Sequence, residues 1–273
     1  MTITLGGPLL LVGAGKMGGA LLAGWLEQGL PAESVFVQDP EPPQEVAALI
    51  GKHVIATGTP PDLPEAPVVM VLAVKPQAMD EVLPHLKPLT GPDTVILSVA
   101  AGQQLSSLAK HFGSEAAIVR AMPNAPASIG RGVTVACSNA AVTPAQAERC
   151  ITLLSAVGEV EWIEDEALLD PVTAVSGSGP AYVFLMCECL TNAGVEAGLD
   201  GELAARLARA TVSGAGDLLR RSDLSASQLR ENVTSPGGTT EAALKILNGE
   251  KELDDLMERA VTAATKRSKE LSS

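Results

Sequence analysis

Aromatic residues are almost absent from this chain. They make up 2% of its 273 residues: two Trp, one Tyr and three Phe. A core built without large rings has to come from the Ala, Leu and Val that dominate the 46% apolar fraction. Such side chains suit helices packed closely on one another or on a parallel sheet. Long hydrophobic runs are also missing. The longest, such as Val68 to Val74, are strand-length and far below the roughly 20 residues of a membrane span. No basic n-region or cleavage site opens the sequence, so no signal peptide is expected.

Positive charge is scarce as well. The net charge is −13, and the Lys and Arg residues are scattered rather than striped. A nucleic-acid surface needs clustered cations to displace counterions, so nucleic acid is not an expected partner. Four cysteines (Cys137, Cys150, Cys187 and Cys189) show no CxxC spacing. Neither they nor His53, His85 and His111 form a ligand pattern, so no metal site and no disulfide is expected. A reduced, cytoplasmic protein without membrane attachment fits this composition.

What is present is an alternation. Short branched runs (Leu9 to Val12, Val35 to Gln38, Val68 to Val74, Thr94 to Val99, Ala117 to Ala121) alternate with helical periodicity at Lys16 to Gln28, Gln44 to Ile50, Gln77 to Leu86 and Gln103 to Lys110. That pattern predicts a parallel sheet covered on both faces. Two more β-like runs follow, Gly132 to Ala136 and Val160 to Ile163. Between them Thr143-Pro144-Ala145-Gln146 reads as a capping box opening a helix. Beyond Asp165 the pattern holds no convincing strand, only Ala/Leu-rich helical stretches, including Ala167 to Ala197. The expected architecture is an α/β Rossmann domain at the N-terminus (doubly wound, mostly parallel sheet, residues 1–163) and an all-α C-terminal dimerisation and substrate-binding domain (164–273).

Gly13-Ala14-Gly15-Lys16-Met17-Gly18 follows the first strand and opens the first helix. In that context Gly13 permits the tight turn, Gly15 lets the backbone approach a pyrophosphate, and Gly18 brings helix and sheet together. The helix N-terminus supplies free N–H groups for phosphate. Asp39 ends the second strand, where an acid accepts a hydrogen bond from the adenosine ribose and repels a 2′-phosphate. It reads equally as a turn residue before Pro40. NAD(P)H is therefore the expected cofactor, with the choice between NADH and NADPH open. Lys75-Pro76 and Val99-Ala100-Ala101 follow other strands, at the edge where such sheets bind ligands. Ser235-Pro236-Gly237-Gly238-Thr239-Thr240 feeds a helix N-terminus and can hold a carboxylate on its N–H groups.

Four segments carry a family resemblance: Ala73-Val74-Lys75-Pro76-Gln77, Arg120-Ala121-Met122-Pro123-Asn124, Ala174-Val175-Ser176-Gly177-Ser178-Gly179-Pro180-Ala181-Tyr182, and Val233-Thr234-Ser235-Pro236-Gly237-Gly238-Thr239-Thr240. Together they make the chain closely resemble pyrroline-5-carboxylate reductase. The resemblance implies a homodimer or higher homo-oligomer with active sites shared between subunits. It implies reduction of the cyclic imine 1-pyrroline-5-carboxylate to L-proline. It places Ala73, Val74, Lys75, Pro76, Val99, Ala100, Ala101 and Asn124 around the cofactor, with Glu166 near its nicotinamide end. Ser176, Ser235, Gly237, Gly238, Thr239 and Thr240 would meet the substrate, and Thr240 would be the catalytic hydroxyl. Two alternatives are a β-hydroxyacid dehydrogenase and a non-catalytic dinucleotide-binding regulator. The first resembles this plan but carries a lysine where this chain has Val183.

Overall fold

The computed structural model of the chain describes residues 3–50, 55–56 and 63–272. His53 lies outside them. The branched runs become strands: β1 Leu9–Val12, β2 Val35–Gln38, β3 Ile55–Ala56, β4 Val69–Leu72, β5 Val95–Ser98, β6 Ala117–Met122, β7 Gly132–Ser138 and β8 Gly158–Trp162. The helices of this half are α1 Lys16–Glu27, α2 Gln44–Ile50, α3 Met79–Leu86, α4 Leu105–Phe112 and α5 Pro144–Ser155. The sheet order is β3-β2-β1-β4-β5-β6-β7-β8. Every pairing is parallel except β6 with β7, where Arg120 stands opposite Cys137.

All four residues of β1, β4 and β5 are buried, because helices cover both faces of the sheet. Alternation along the strands sorts the side chains between two cores. Leu9, Leu11, Val35, Val37, Val69, Val71, Val95 and Leu97 meet Leu21, Leu22 and Trp25 of α1 and Leu153 and Leu154 of α5. Leu10, Val12, Met70, Leu72 and Ile96 meet Met79, Leu83 and Leu86 of α3 and Leu108 and Phe112 of α4. Trp25 is fully buried, and its Nε1–H donates to the Leu153 carbonyl at 2.8 Å, tying α1 to α5. The expected capping box is formed: Thr143 Oγ1 accepts from the Gln146 N–H, while the Gln146 side chain accepts from the Thr143 N–H.

The expected helical stretch from Ala167 to Ala197 is broken into pieces. A 3-10 turn at Glu166–Leu168 leads to α6 Leu169–Val172 and a π turn at Thr173–Gly177. Then α7 Gly179–Glu196 starts afresh with Pro180 in its first turn. Proline has no N–H to give to a preceding turn, so the break falls just before it. Ser176 Oγ bonds back to the Val172 carbonyl at 3.0 Å, inside the π turn. Four more helices follow: α8 Gly201–Arg221, α9 Ala226–Asn232, α10 Thr239–Leu247 and α11 Glu252–Ser272.

The chain forms two compact units, residues 1–177 with 265–273, and residues 178–264. Segment 164–177 packs with the sheet, because Leu169 is fully buried against Val135 and Cys137. In the second unit α7 packs on α8 through Gly194, where an added Cβ would stand 3.3 Å from the Ala204 Cβ. No residue of α7 is buried, and only Ala204 and Ala208 of α8 are. Phe184, Leu185, Met186, Leu190, Leu207 and Leu218 stay exposed in the single chain. A helix apolar on so many sides is ordinarily covered by other protein. Among the described residues, no helix is long and apolar enough to cross a membrane.

All four cysteines are free thiols. Burial, with Glu166 adding to it, pushes the Cys137 thiol up to about 11, and burial pushes Cys150 up to about 12. At pH 8 a thiol of pKa near 11 is ionised to about one part in a thousand, and the thiolate is the reactive form. Iodoacetamide at pH 8 is therefore expected to leave Cys137 and Cys150 untouched in the native protein. Mass spectrometry should find both alkylated once the protein is unfolded.

Candidate active site

The strand order reverses between β1 and β4, the crevice where doubly wound sheets bind ligands beyond their carboxyl ends. Gly13 sits at that point with φ +90°, and its N–H donates to the Gln38 carbonyl at 2.8 Å. A Cβ on Gly13 would come within 2.8 Å of the Ala73 backbone, so the loop after β4 lies directly on the glycine loop. A Cβ on Gly18 would run into the Gly13 carbonyl oxygen and stand 3.2 Å from the Ala73 Cβ. These two glycines make the close packing of turn, helix and sheet. Gly15 differs: it is the N-cap of α1, and a Cβ there meets nothing within 4 Å. Ala14 is fully buried, Lys16 is exposed and Met17 packs partly on the core.

Asp39 is tied in twice. Its Oδ2 accepts from the Ala14 N–H at 2.6 Å, and its Oδ1 accepts from the Glu41 N–H at 2.8 Å. The second bond is an Asx turn, and the first locks the end of β2 to the glycine loop. The residues present fit a dinucleotide. Gly15 leaves the first turn of α1 open, that turn has no side-chain cap, and helix starts offer unpaired N–H groups. Gln38 Oε1, next to Asp39, is buried without a partner among the described residues. Lys75 is exposed and caps the 3-10 turn Pro76–Ala78. Ala73 and Val74 are half-buried beside Gly13.

Further along the sheet edge, Val99 and Ala100 are buried and Ala101 is exposed. Glu166 holds this side together. Its Oε1 accepts from the Leu105 N–H, at the start of α4, at 2.8 Å and from Arg120 Nη1 at 2.9 Å. The Arg120 side chain is 7% exposed and that of Glu166 28%, so the pair is largely withdrawn from water. Asn124 is 9% exposed and spends its amide on protein: Nδ2 donates to the Ser176 carbonyl at 3.2 Å, and Oδ1 accepts from the Val133 N–H at 3.0 Å. Asn124 and Ser176 are thus brought together, 52 residues apart in sequence. The role of Arg120 was not foreseen. The signal available was an arginine inside an otherwise apolar strand, a position that demands a buried anionic partner.

In the second unit, Gly238 is the N-cap of α10, which begins at Thr239. Gly237 has φ +72°, and its N–H donates to Glu241 Oε2 at 2.7 Å. The Gly238 N–H returns to the Ser235 carbonyl at 3.0 Å. A carboxylate already sits on one N–H of this loop, and the N–H groups of Thr239 and Thr240 belong to the unpaired start of the helix. Ser235 and Thr239 are exposed, and Thr240 is half-buried.

His111 Nε2 stands 3.2 Å from Asp80 Oδ1, a contact between α3 and α4. Among the described residues, no three His, Cys, Asp or Glu side chains converge as a metal site would require.

A family model described as pyrroline-5-carboxylate reductase dimerisation matches residues 166–271, and one described as NADP oxidoreductase, coenzyme F420-dependent, matches residues 9–102. The chain is 43% identical to the pyrroline-5-carboxylate reductase of Pseudomonas aeruginosa, over 96% of each chain. It is 38% identical to that of Pisum sativum, over 96% of this chain and 94% of the relative. Among solved structures, the Coxiella burnetii pyrroline-5-carboxylate reductase superposes with a TM-score of 0.89 at 34% identity, covering 98% of this chain and 99% of that one. The Plasmodium falciparum pyrroline carboxylate reductase with NADP bound superposes at 0.83 with 31% identity, covering 99% and 100%. Matches of this identity over nearly the whole length do not favour the dehydrogenase or regulator alternatives, and the chain belongs to the pyrroline-5-carboxylate reductase family.

Proposed function

We propose that the protein reduces 1-pyrroline-5-carboxylate to L-proline, with NAD(P)H as the hydride source. The observation that carries this reading is the open N-terminus of α1 at the switch point, with Gly15 facing empty space and Gly13 and Gly18 packed tight. Gly13 to Gly18 would hold the pyrophosphate on N–H groups. Asp39 would face the adenosine ribose, and Ala73 to Pro76, Val99 to Ala101 and Asn124 would line the rest of the cofactor. Glu166 would act near the nicotinamide end by fixing the start of α4.

When bound, the nicotinamide supplies the hydride that adds to the imine carbon. The imine enters with its nitrogen protonated, so the carbon is already electrophilic and the nitrogen keeps its proton as the double bond becomes single. The protein therefore has to position and desolvate more than it has to move protons. The N–H groups of Thr239 and Thr240, at the positive end of the α10 dipole, would take the substrate carboxylate. Ser235, Gly237 and Gly238 shape that loop, and Gly237 already shows an N–H presented to a carboxylate. The Thr240 hydroxyl would orient the ring nitrogen. Ser176 would help to shape the substrate site through its π turn. A ketone would need an acid to protonate the developing alkoxide, and Val183, near the start of α7, supplies none.

Asp39 tilts the site toward NADH, since a 2′-phosphate would be brought against its carboxylate. The exposed apolar faces of α7 and α8 support a homodimer, and we propose that dimers assemble further. The four free thiols support a cytoplasmic setting.

The test follows nicotinamide absorbance with pyrroline-5-carboxylate, using NADH and NADPH separately. Oxidation of either cofactor is expected, with the larger kcat/KM for NADH. A preference for NADPH would reduce Asp39 to its two backbone bonds. Thr240→Ala is expected to lower kcat about tenfold, the size of one well-placed hydrogen bond. An unchanged kcat would remove Thr240 from the reaction, and no oxidation of either cofactor would overturn the assignment.

A further inference from the structure

We propose that the last turns of α11 are a positioning element for the loop Val99–Gly102, acting through the Ser268–Asp170 bond and the Leu271 backbone. The proposal rests on the reading of this loop as part of the cofactor site.

Ser268 is 7% exposed, unusually deep for a serine near the end of a surface helix. Its Oγ–H donates to Asp170 Oδ1 at 2.6 Å, across 98 residues of sequence. A hydroxyl bonded to an ionised carboxylate is among the stronger side-chain hydrogen bonds. Residues 265–273 pack with the sheet unit, whereas the preceding turns of α11 belong to the other unit. The end of this helix therefore has its own attachment.

That attachment lies against the loop after β5. Gly102 has φ +76°, and a Cβ placed there would stand 3.1 Å from the Leu271 carbonyl oxygen and 3.5 Å from its carbonyl carbon. A side chain at position 102 would thus crowd the Leu271 backbone, so the turn and the neighbour both favour glycine there. The start of the loop is fixed by the sheet, where the Val99 N–H donates to the Leu72 carbonyl at 3.0 Å and Val99 and Ala100 are buried. Ala101, in contrast, is exposed, and the Ala100 N–H reaches Ser98 Oγ only at 3.4 Å. Its exit is pinned where Glu166 takes the Leu105 N–H. Its tip, Gly102, lies beside the Leu271 backbone. Asp170 lies one turn beyond Glu166, so the short segment from Glu166 to Asp170 anchors both contacts.

A loop held this way fixes the wall of the cofactor site without touching the reacting atoms. Loosening it should weaken cofactor binding and leave the carboxylate site on α10 unaffected.

The experiment measures NADH Kd from its fluorescence enhancement, together with KM for cofactor and for pyrroline-5-carboxylate. The proteins are wild type, Ser268→Ala, Asp170→Ala and Asp170→Asn. Losing one hydrogen bond to a charged group is expected to raise cofactor Kd and KM about three- to tenfold. The KM for the imine should stay within about twofold. Asp170→Asn keeps an acceptor for Ser268 and should remain near wild type. The proposal is overturned if Ser268→Ala and Asp170→Ala bind NADH as wild type does. It is equally overturned if both KM values rise together with a fall in melting temperature, which would make the contact purely structural. Failure of the wild type itself to bind NADH or NADPH would instead sink the cofactor reading on which the proposal rests.

Discussion

Glu166→Ala is expected to destabilise the protein by about 3 kcal/mol. The substitution strands the Arg120 guanidinium, 7% exposed, on the interior strand β6 without its Glu166 partner. Removing one partner of a buried ion pair typically costs about 3–5 kcal/mol, because the remaining charge keeps its desolvation penalty. Glu166 is partly exposed, so water can enter and the lower end applies. The Leu105 N–H also loses its acceptor, which frees the first turn of α4. Urea unfolding should show a lower midpoint with little change in slope. Replacing both residues with well-packed apolar ones should recover much of the loss, since the pair as a whole contributes little net stability. If Glu166→Ala unfolds at the wild-type midpoint, Arg120 has another anion and the clamp is not what holds α4.

Gly18→Ala and Gly15→Ala should part company, although both sit in one six-residue motif. At Gly18 the new methyl would collide with the Gly13 carbonyl, a backbone atom that cannot move without tilting α1 away from β1. Overpacking of this kind costs about 1–3 kcal/mol, and the displaced helix start should weaken cofactor binding and lower turnover by about a hundredfold, the size of effect of a misplacement of reacting groups by about 1 Å. At Gly15 the methyl meets no protein atom within 4 Å, and φ is −65°. Stability should therefore stay within about 0.5 kcal/mol of wild type. Cofactor affinity should still fall, because the methyl would occupy the space left for phosphate. Thermal melts and NADH titrations of the two variants separate these effects. Equal cofactor affinity in wild type and Gly15→Ala would mean that the phosphates do not pass over this turn.

Much of this was legible because it is local. Thr143-Pro144-Ala145-Gln146 carries its capping box within four residues, and Gly13 to Gly18 declares itself by lying between a strand and a helix. The reversal of β7 was not legible: a short apolar run such as Gly132 to Ala136 has a period but no direction. Leu169 looked like part of a helical domain, and only burial against Val135 and Cys137 assigns it to the sheet unit. The long-range polar contacts were hidden for the same reason. Arg120 finds Glu166 across 46 residues, and Ser268 finds Asp170 across 98. No spacing rule connects such pairs. Asp39 was ambiguous in sequence between a ribose contact and a turn, and the fold shows that its turn bond and its link to Ala14 coexist.

The scarcity of aromatic rings has a spectroscopic consequence. Both tryptophans belong to the sheet unit: Trp25 is sealed between α1 and α5, and Trp162 closes β8 partly buried against the same core. The segment 178–264 contains Tyr182 and Phe184 but no tryptophan. Tryptophan emission excited at 295 nm is therefore a reporter of the sheet alone, and a quiet emission signal says nothing about the helices. Far-ultraviolet circular dichroism, to which α7, α8 and α11 contribute strongly, supplies the complementary channel, and a gap between the two melting curves would show that the two units unfold at different temperatures.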